Sequence, residues 1–187
     1  MPVQAPRRLF TVRDFYQMAE AGIFRDDDRV ELLAGEVVEM TPIGSRHAAC
    51  VDRLHRMLHD RLVESSVIVR VQNPIRLEEH SEPQPDLAVI RFRSDFYRDA
   101  HPGPGDVLLV IEVADTSADV DREVKVPLYA QAGIPEVWVV DLAARAVDVY
   151  REASPQGYRH HRRMGPGDGL SPDQLPSLQV AVSDVVS

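Results

Sequence analysis

The chain of 187 residues holds one cysteine, Cys50, so it can close no disulfide on itself, and the expectation is a reducing compartment, the cytoplasm. Long apolar runs are missing as well. The longest, Val107 to Ile111, falls far short of the roughly 20 residues a membrane helix needs. The first thirteen residues carry Arg7, Arg8 and Arg13 but no apolar segment, so they do not read as a secretory signal. No glycine-rich loop follows any strand candidate, which argues against a dinucleotide or Walker-type phosphate site. Net positive charge is also absent. At −9 the chain is a poor candidate for coating nucleic acid through phosphate neutralisation, although a carboxylate metal site would itself be acidic. The arginines near the N-terminus and the Arg159-His160-His161-Arg162-Arg163 run read as solvated surface charge. The most telling shortage is lysine. Of 21 lysines and arginines only Lys125 is a lysine, a compact ammonium whose pKa can shift where a guanidinium stays charged and planar.

What is present reads as one α/β domain over residues 1–187, with no repeat and no dividing linker. Thr11 with Asp14 forms a capping pattern for a helix reaching about Ala21, stopped by Gly22. Val30 to Leu33 and Val37 to Met40 flank Ala34-Gly35 as a hairpin, with Glu36 and Glu39 facing solvent. From Ser45 to Glu64, Val51, Leu54, Leu58 and Leu62 recur at helical spacing. Short strands are expected at Val67 to Val71, Ile75 to Leu77 and Leu87 to Phe92, the last entered through Pro85-Asp86. Val107 to Val113 is apolar on both alternating faces, as a central strand covered on both sides would be. Ala118 to Ala132 reads as a helix with Val120, Val124 and Leu128 on its apolar face, Gly133 as its stop and Pro127 as a complication. Strands at Val137 to Val140, Val147 to Tyr150 and Tyr158 to Arg162 follow. The tail from Gly165 reads mostly as turns, with one apolar segment at Leu178 to Val182. Helices before and after a central mixed sheet imply a layered α/β sandwich.

Carboxylates embedded in strand patterns are the anomalies. Glu112 interrupts a run of valines and isoleucines, where a lone charge is costly unless paired, protonated or bound to metal. Asp86 opens a strand, and Glu31 sits between Val30 and Leu32. These acids could converge at one sheet end on Mg²⁺ or Mn²⁺, or be buried partners of arginines; pattern alone leaves both open. Asp121, four residues before Lys125, is spaced to pair with it. His47 lies on the inner face of its helix near the N-terminus, Gln72 follows a strand, and Tyr129 and Trp138 are most simply core.

Ordered blocks then carry a resemblance. Arg29-Val30-Glu31-Leu32-Leu33-Ala34-Gly35-Glu36, Pro42 with Gly44 and His47, and Gln72-Asn73-Pro74-Ile75 come first. Glu82-Pro83-Gln84-Pro85-Asp86-Leu87-Ala88-Val89 and Ile111-Glu112-Val113-Ala114-Asp115-Thr116-Ser117 follow, then Asp121, Lys125, Tyr129 and Ala132-Gly133-Ile134-Pro135-Glu136-Val137-Trp138. From about Thr11 through Tyr158 the chain resembles the Uma2 (DUF820) family, a branch of the PD-(D/E)XK nuclease superfamily. The resemblance implies a restriction-endonuclease-like core, a central mixed β-sheet flanked by α-helices, and Mg²⁺-dependent phosphodiester hydrolysis. It assigns Asp86 and Glu112 to the two motif acids and Glu31 to an additional acid, all three binding metal. The superfamily's usual lysine position is Ala114 here, and Lys125 on the next helix takes that part. His47, Asp121 and Gln72 stand as supporting residues. The implied partner is nucleic acid, DNA in the leading reading, cut by a C2 homodimer. The alternatives are a non-catalytic nucleic-acid-binding or regulatory module that kept the fold, and a nuclease acting on RNA or a nucleic acid of special structure.

Overall fold

The Thr11 hydroxyl accepts from the Asp14 amide at 3.0 Å while the Asp14 carboxylate accepts from the Thr11 amide at 2.9 Å, a reciprocal cap that starts α1 (Val12–Glu20). The computed structural model describes residues 7–63, 66–115 and 120–187. Ala34 and Gly35 both hold positive φ, 48° and 80°, the backbone of a tight hairpin turn between β1 (Val30–Leu33) and β2 (Glu36–Glu39). Gly35 is also required by space, because a Cβ there would come within 2.6 Å of the Leu9 Cβ. The hairpin is tied down through Glu82 N–H to the Leu32 carbonyl and Gly35 N–H to the His80 carbonyl.

The long helix α2 (Ser45–Leu62) buries Val51, Leu54, Leu58 and Leu62 as its spacing requires. It packs on a six-stranded sheet of β3 (Val67–Val71), β4 (Leu87–Arg91), β5 (Val107–Ala114), β6 (Glu136–Asp141), β7 (Ala146–Ser154) and β8 (Gly157–Met164), laid side by side in that order. Neighbours are antiparallel except β5 and β6, which run parallel and are joined by a helical crossover. Every residue of β5 is buried, as expected of the central strand. Ile111, Val113, Trp138 and Val140 face α2. Val110, Ala114, Val137 and Val139 face the crossover helix α3 (Val126–Ala132), among Tyr129 and Ile134. Among the described residues no helix is long and apolar enough to cross a membrane.

Three expectations are corrected. Ile75 and Leu77 are buried, but the segment forms no strand, because its amides are taken by the Pro83, Pro102 and Ser81 carbonyls of neighbouring loops. The C-terminal tail is more than turns. It carries β9 (Gly169–Leu170), β10 (Val180–Ala181) and the short α4 (Val182–Val185), and its Leu170, Leu178, Val182 and Val185 close the core beneath α2. Cys50 lies in that core, where burial pushes its thiol up to about 11.

The third correction concerns the crossover. Val120 and Val124 are exposed (46 % and 40 %), and its buried side instead carries Asp121, Lys125, Val126, Tyr129 and Ala130. Asp121–Lys125 forms a widened π turn in which the Val126 amide donates to the Asp121 carbonyl, directly before Pro127, which has no N–H to give the ladder. Gly133 ends the helix with φ of 82°. The expected helix start at Ala118, the motif residues Thr116 and Ser117, and the expected end of α2 at Glu64 lie outside the described residues.

Arg122 fastens the π turn to the sheet, reaching Asp141 and Asp148 at 2.7 Å each, while Arg163 of β8 reaches both acids at 3.1 Å. Burial alone would raise the Asp141 carboxyl, but hydrogen bonds from Arg122, the Ala144 amide and Arg163 outweigh it and hold the group at about 2. The folded pKa lies below the ordinary 3.8, so the stabilisation is fully present above that value and is lost as pH falls through about 2. Its size is on the order of 2 kcal/mol. Asp141→Asn is therefore expected to be less stable than the unsubstituted chain at pH 5, with the gap closing as denaturation midpoints are followed down to pH 2. A gap that stays constant over that window would remove the ionised carboxylate as its source.

Candidate active site

Alternation along β5 turns Glu112 to the α3 side of the sheet, with Val110 and Ala114, where it would be an isolated charge in an apolar layer. Three groups meet it. Tyr129 Oη donates to Oε1 at 2.6 Å, Lys125 Nζ stands 3.4 Å from the same oxygen, and the Asp86 amide donates to Oε2 at 3.2 Å. Lys125 Nζ also lies 3.1 Å from Glu31 Oε1, and Glu31 Oε2 accepts from the Gln84 amide at 2.9 Å. The single ammonium thus bridges an acid of the hairpin and an acid of the central strand. Asp121 is buried one turn before it, and its charge acts on Lys125, Glu112 and His47.

Asp86 stands at the entrance of β4. Its Oδ2 accepts from the Val113 amide at 2.9 Å and lies 2.9 Å from His47 Nε2, and its Oδ1 accepts from the Gln72 amide group at 3.2 Å. Gln72 takes φ of 50°, an uncommon backbone state for a residue with a side chain, and its own N–H donates to the Asp86 carbonyl. Burial pushes the Asp86 carboxyl up, but the His47 hydrogen bond and charge, the Val113 amide and Gln72 bring it below the ordinary range. His47 is raised in return, chiefly by its bond to Asp86. An ionised carboxylate only accepts, so His47 Nε2 carries the proton in this pair.

Glu112 behaves oppositely. Burial pushes it up, and the charges of Asp121 and Asp86 add to the rise; Lys125 and Tyr129 pull against this and leave the group at about 8. Lys125 is raised above its ordinary value, because Glu112, Glu31 and Asp121 outweigh the burial that would lower it. Negative charge is therefore in excess.

All seven residues singled out from sequence (Glu31, His47, Gln72, Asp86, Glu112, Asp121 and Lys125) line one cavity of about 260 Å³. Sequence reasoning missed the Tyr129 hydroxyl. Its ring is core, as expected, but the polar tip is spent on Glu112. The signal was its place four residues after Lys125, which puts it on the same helix face. The Gln84 and Val113 amides are main-chain groups and carry no signature of their own.

The three acids suit a hard divalent cation: they offer oxygen ligands only, and a carboxylate excess that such an ion would neutralise. Asp86 and Glu112 adjoin, joined through the Asp86 amide, and one or two carboxylates are enough for an ion that keeps several waters. Among the described residues no three histidine, cysteine or acidic side chains are gathered as a ready ligand set, and Glu31 is engaged by Lys125.

The comparisons agree with this arrangement of elements. A family model described as "Uma2: Putative restriction endonuclease" matches residues 12–183, reaching past Tyr158 into the tail that closes the core. The fold is similar to the crystal structure of "a putative nuclease belonging to DUF820" from Anabaena variabilis ATCC 29413, with a TM-score of 0.71 and 15 % identity over 95 % of this chain and 97 % of that one. No curated protein matches the chain.

Proposed function

The chain belongs to the Uma2 family, and from that premise we propose that it is a metal-dependent endonuclease hydrolysing phosphodiester bonds in DNA. The observation that carries the reading is the meeting of Glu31, Asp86, Glu112 and the chain's only lysine in one cavity with an excess of negative charge. Asp86 and Glu112 would hold Mg²⁺ or Mn²⁺, with Glu31 as the third acid. Such an ion, when bound, lowers the pKa of a coordinated water and offsets charge on the phosphate.

The chain's own groups do the rest. Tyr129 fixes the orientation of Glu112, while Val113 N–H, His47 and Gln72 fix that of Asp86. Lys125, held charged by its acidic neighbours, orients the attacking water and counters charge developing on the cleaved phosphate. Asp121 keeps that ammonium in place from the same helix face.

The test is conversion of supercoiled plasmid to nicked or linear form by purified protein with Mg²⁺ or Mn²⁺, beside Glu112→Ala as the control for contaminating nuclease. Cutting by the unsubstituted chain alone is the expected result. Equal cutting by both would trace the activity to a contaminant. Cutting by neither would favour a non-catalytic module, the role that a net charge of −9 suits better.

A further inference from the structure

The cavity has a side that the acids and Lys125 do not explain. Six carboxylates line it against two permanent cations, and one of those, Lys125, is committed to Glu31 and Glu112. The other is Arg29, just before β1, its carbonyl clamped by the Met40 amide of the opposing strand at 2.8 Å. Arg29 makes no ion pair with a described residue, although it shares the cavity lining with six carboxylates. A guanidinium so placed is suited to gripping a phosphate by two parallel hydrogen bonds. The same lining is partly apolar: Val38 from β2, Met40, Pro42 and Ile43 from the segment before α2, and Val120 from the crossover. Ile43 and Val120 remain 42 % and 46 % exposed at the cavity mouth. A groove that only tracked a sugar-phosphate backbone would have no use for this surface; the flat face of a nucleobase does.

Size and charge point the same way. At about 260 Å³ the space lies just under the roughly 300–1,000 Å³ of ordinary ligand pockets, so it admits one nucleoside unit and not a length of duplex. Duplex DNA brings one negative charge per roughly 1.7 Å of axis, a density that an acidic rim with a single uncommitted cation repels.

We propose that this side of the cavity is a subsite for one unpaired nucleotide next to the scissile phosphate, its base against Ile43, Val120 and Met40 and its phosphate on Arg29. The preferred substrate is then single-stranded or locally unpaired nucleic acid. The inference deepens the nuclease reading and rests on it.

The experiment compares one end-labelled DNA oligonucleotide as single strand and as perfect duplex, with Mn²⁺, for the unsubstituted chain, Arg29→Met and Ile43→Ser. The single strand is expected to be cut at least about tenfold faster than the duplex, and either substitution to raise KM for it by about tenfold while kcat changes far less. Duplex cut as fast as single strand, or an unchanged KM in both variants, would overturn the subsite. If neither substrate is cut, the nuclease reading fails, and fluorescence anisotropy with the same oligonucleotides decides the subsite separately. Tighter binding of the single strand, weakened in both variants, would uphold it, and equal binding of the two forms would overturn it.

Discussion

Lys125→Met is expected to abolish plasmid cleavage, lowering the rate by about 10²–10⁴-fold, while Mn²⁺ affinity is kept or strengthened. Methionine preserves the stem of the side chain and deletes only the ammonium, which lies 3.1 Å from Glu31 and 3.4 Å from Glu112. The deletion leaves two buried carboxylates without their shared counter-charge, so thermal stability should fall too; breaking a buried pair from one side costs roughly 3–5 kcal/mol. Added Mn²⁺ should restore part of that loss and none of the cleavage. Calorimetric titration, melting curves with and without Mn²⁺, and plasmid nicking together decide it. Undiminished nicking would take lysine out of the chemistry and leave it a structural cation.

Asp86→Asn tests the opposite member of the site. Asparagine is nearly the same shape and can still accept from the Val113 amide through its oxygen, so the main-chain bond at the entrance of β4 is retained. A melting point within about 4 °C of the unsubstituted chain is expected, the shift that about 1 kcal/mol produces at this size. Mn²⁺ binding should weaken by at least about 10–100-fold, the range seen when even an outer partner of a metal ligand is lost. Cleavage should vanish with it. A titration curve that does not move would mean that Asp86 serves the fold, as the anchor of His47 and Gln72.

The elements that could be read in advance are those whose determinants are local. The Thr11–Asp14 cap, the Ala34-Gly35 turn and the apolar stripe of α2 each follow from residues a few positions apart, and each is present. β5 was legible because a strand covered on both faces needs no alternation, which also made Glu112 stand out. The crossover was misread for a physical reason. Helical periodicity assumes that the buried side is apolar, but here Asp121, Lys125 and the Tyr129 hydroxyl are turned toward Glu112, and Val120 and Val124 are left outside. Ile75 to Leu77 failed differently. The burial of Ile75 and Leu77 was foreseeable, but the partners of the segment's amides are carbonyls of the loops that follow it, which no strand pattern marks. Tyr129 and Arg29 stand in the same ordered motifs as the four main site residues, but an ordinary core ring and one arginine among many do not announce a part in the site.

The parallel pairing of β5 with β6 has a kinetic side. Parallel neighbours cannot be joined by a tight turn, so the segment between them, which carries Lys125 and Tyr129, is placed only when that distant pairing closes. The other site contacts are also non-local: His47 and Asp86 are 39 residues apart, Glu31 and the Gln84 amide 53. A nascent or half-refolded chain that has zipped up only its hairpins, β1–β2, β6–β7 and β7–β8, possesses none of these contacts. Loop-closure entropy has to be met before any of them returns free energy, so the acidic cavity is a late product of folding. A partly made chain therefore carries scattered acids and no assembled cavity around Lys125.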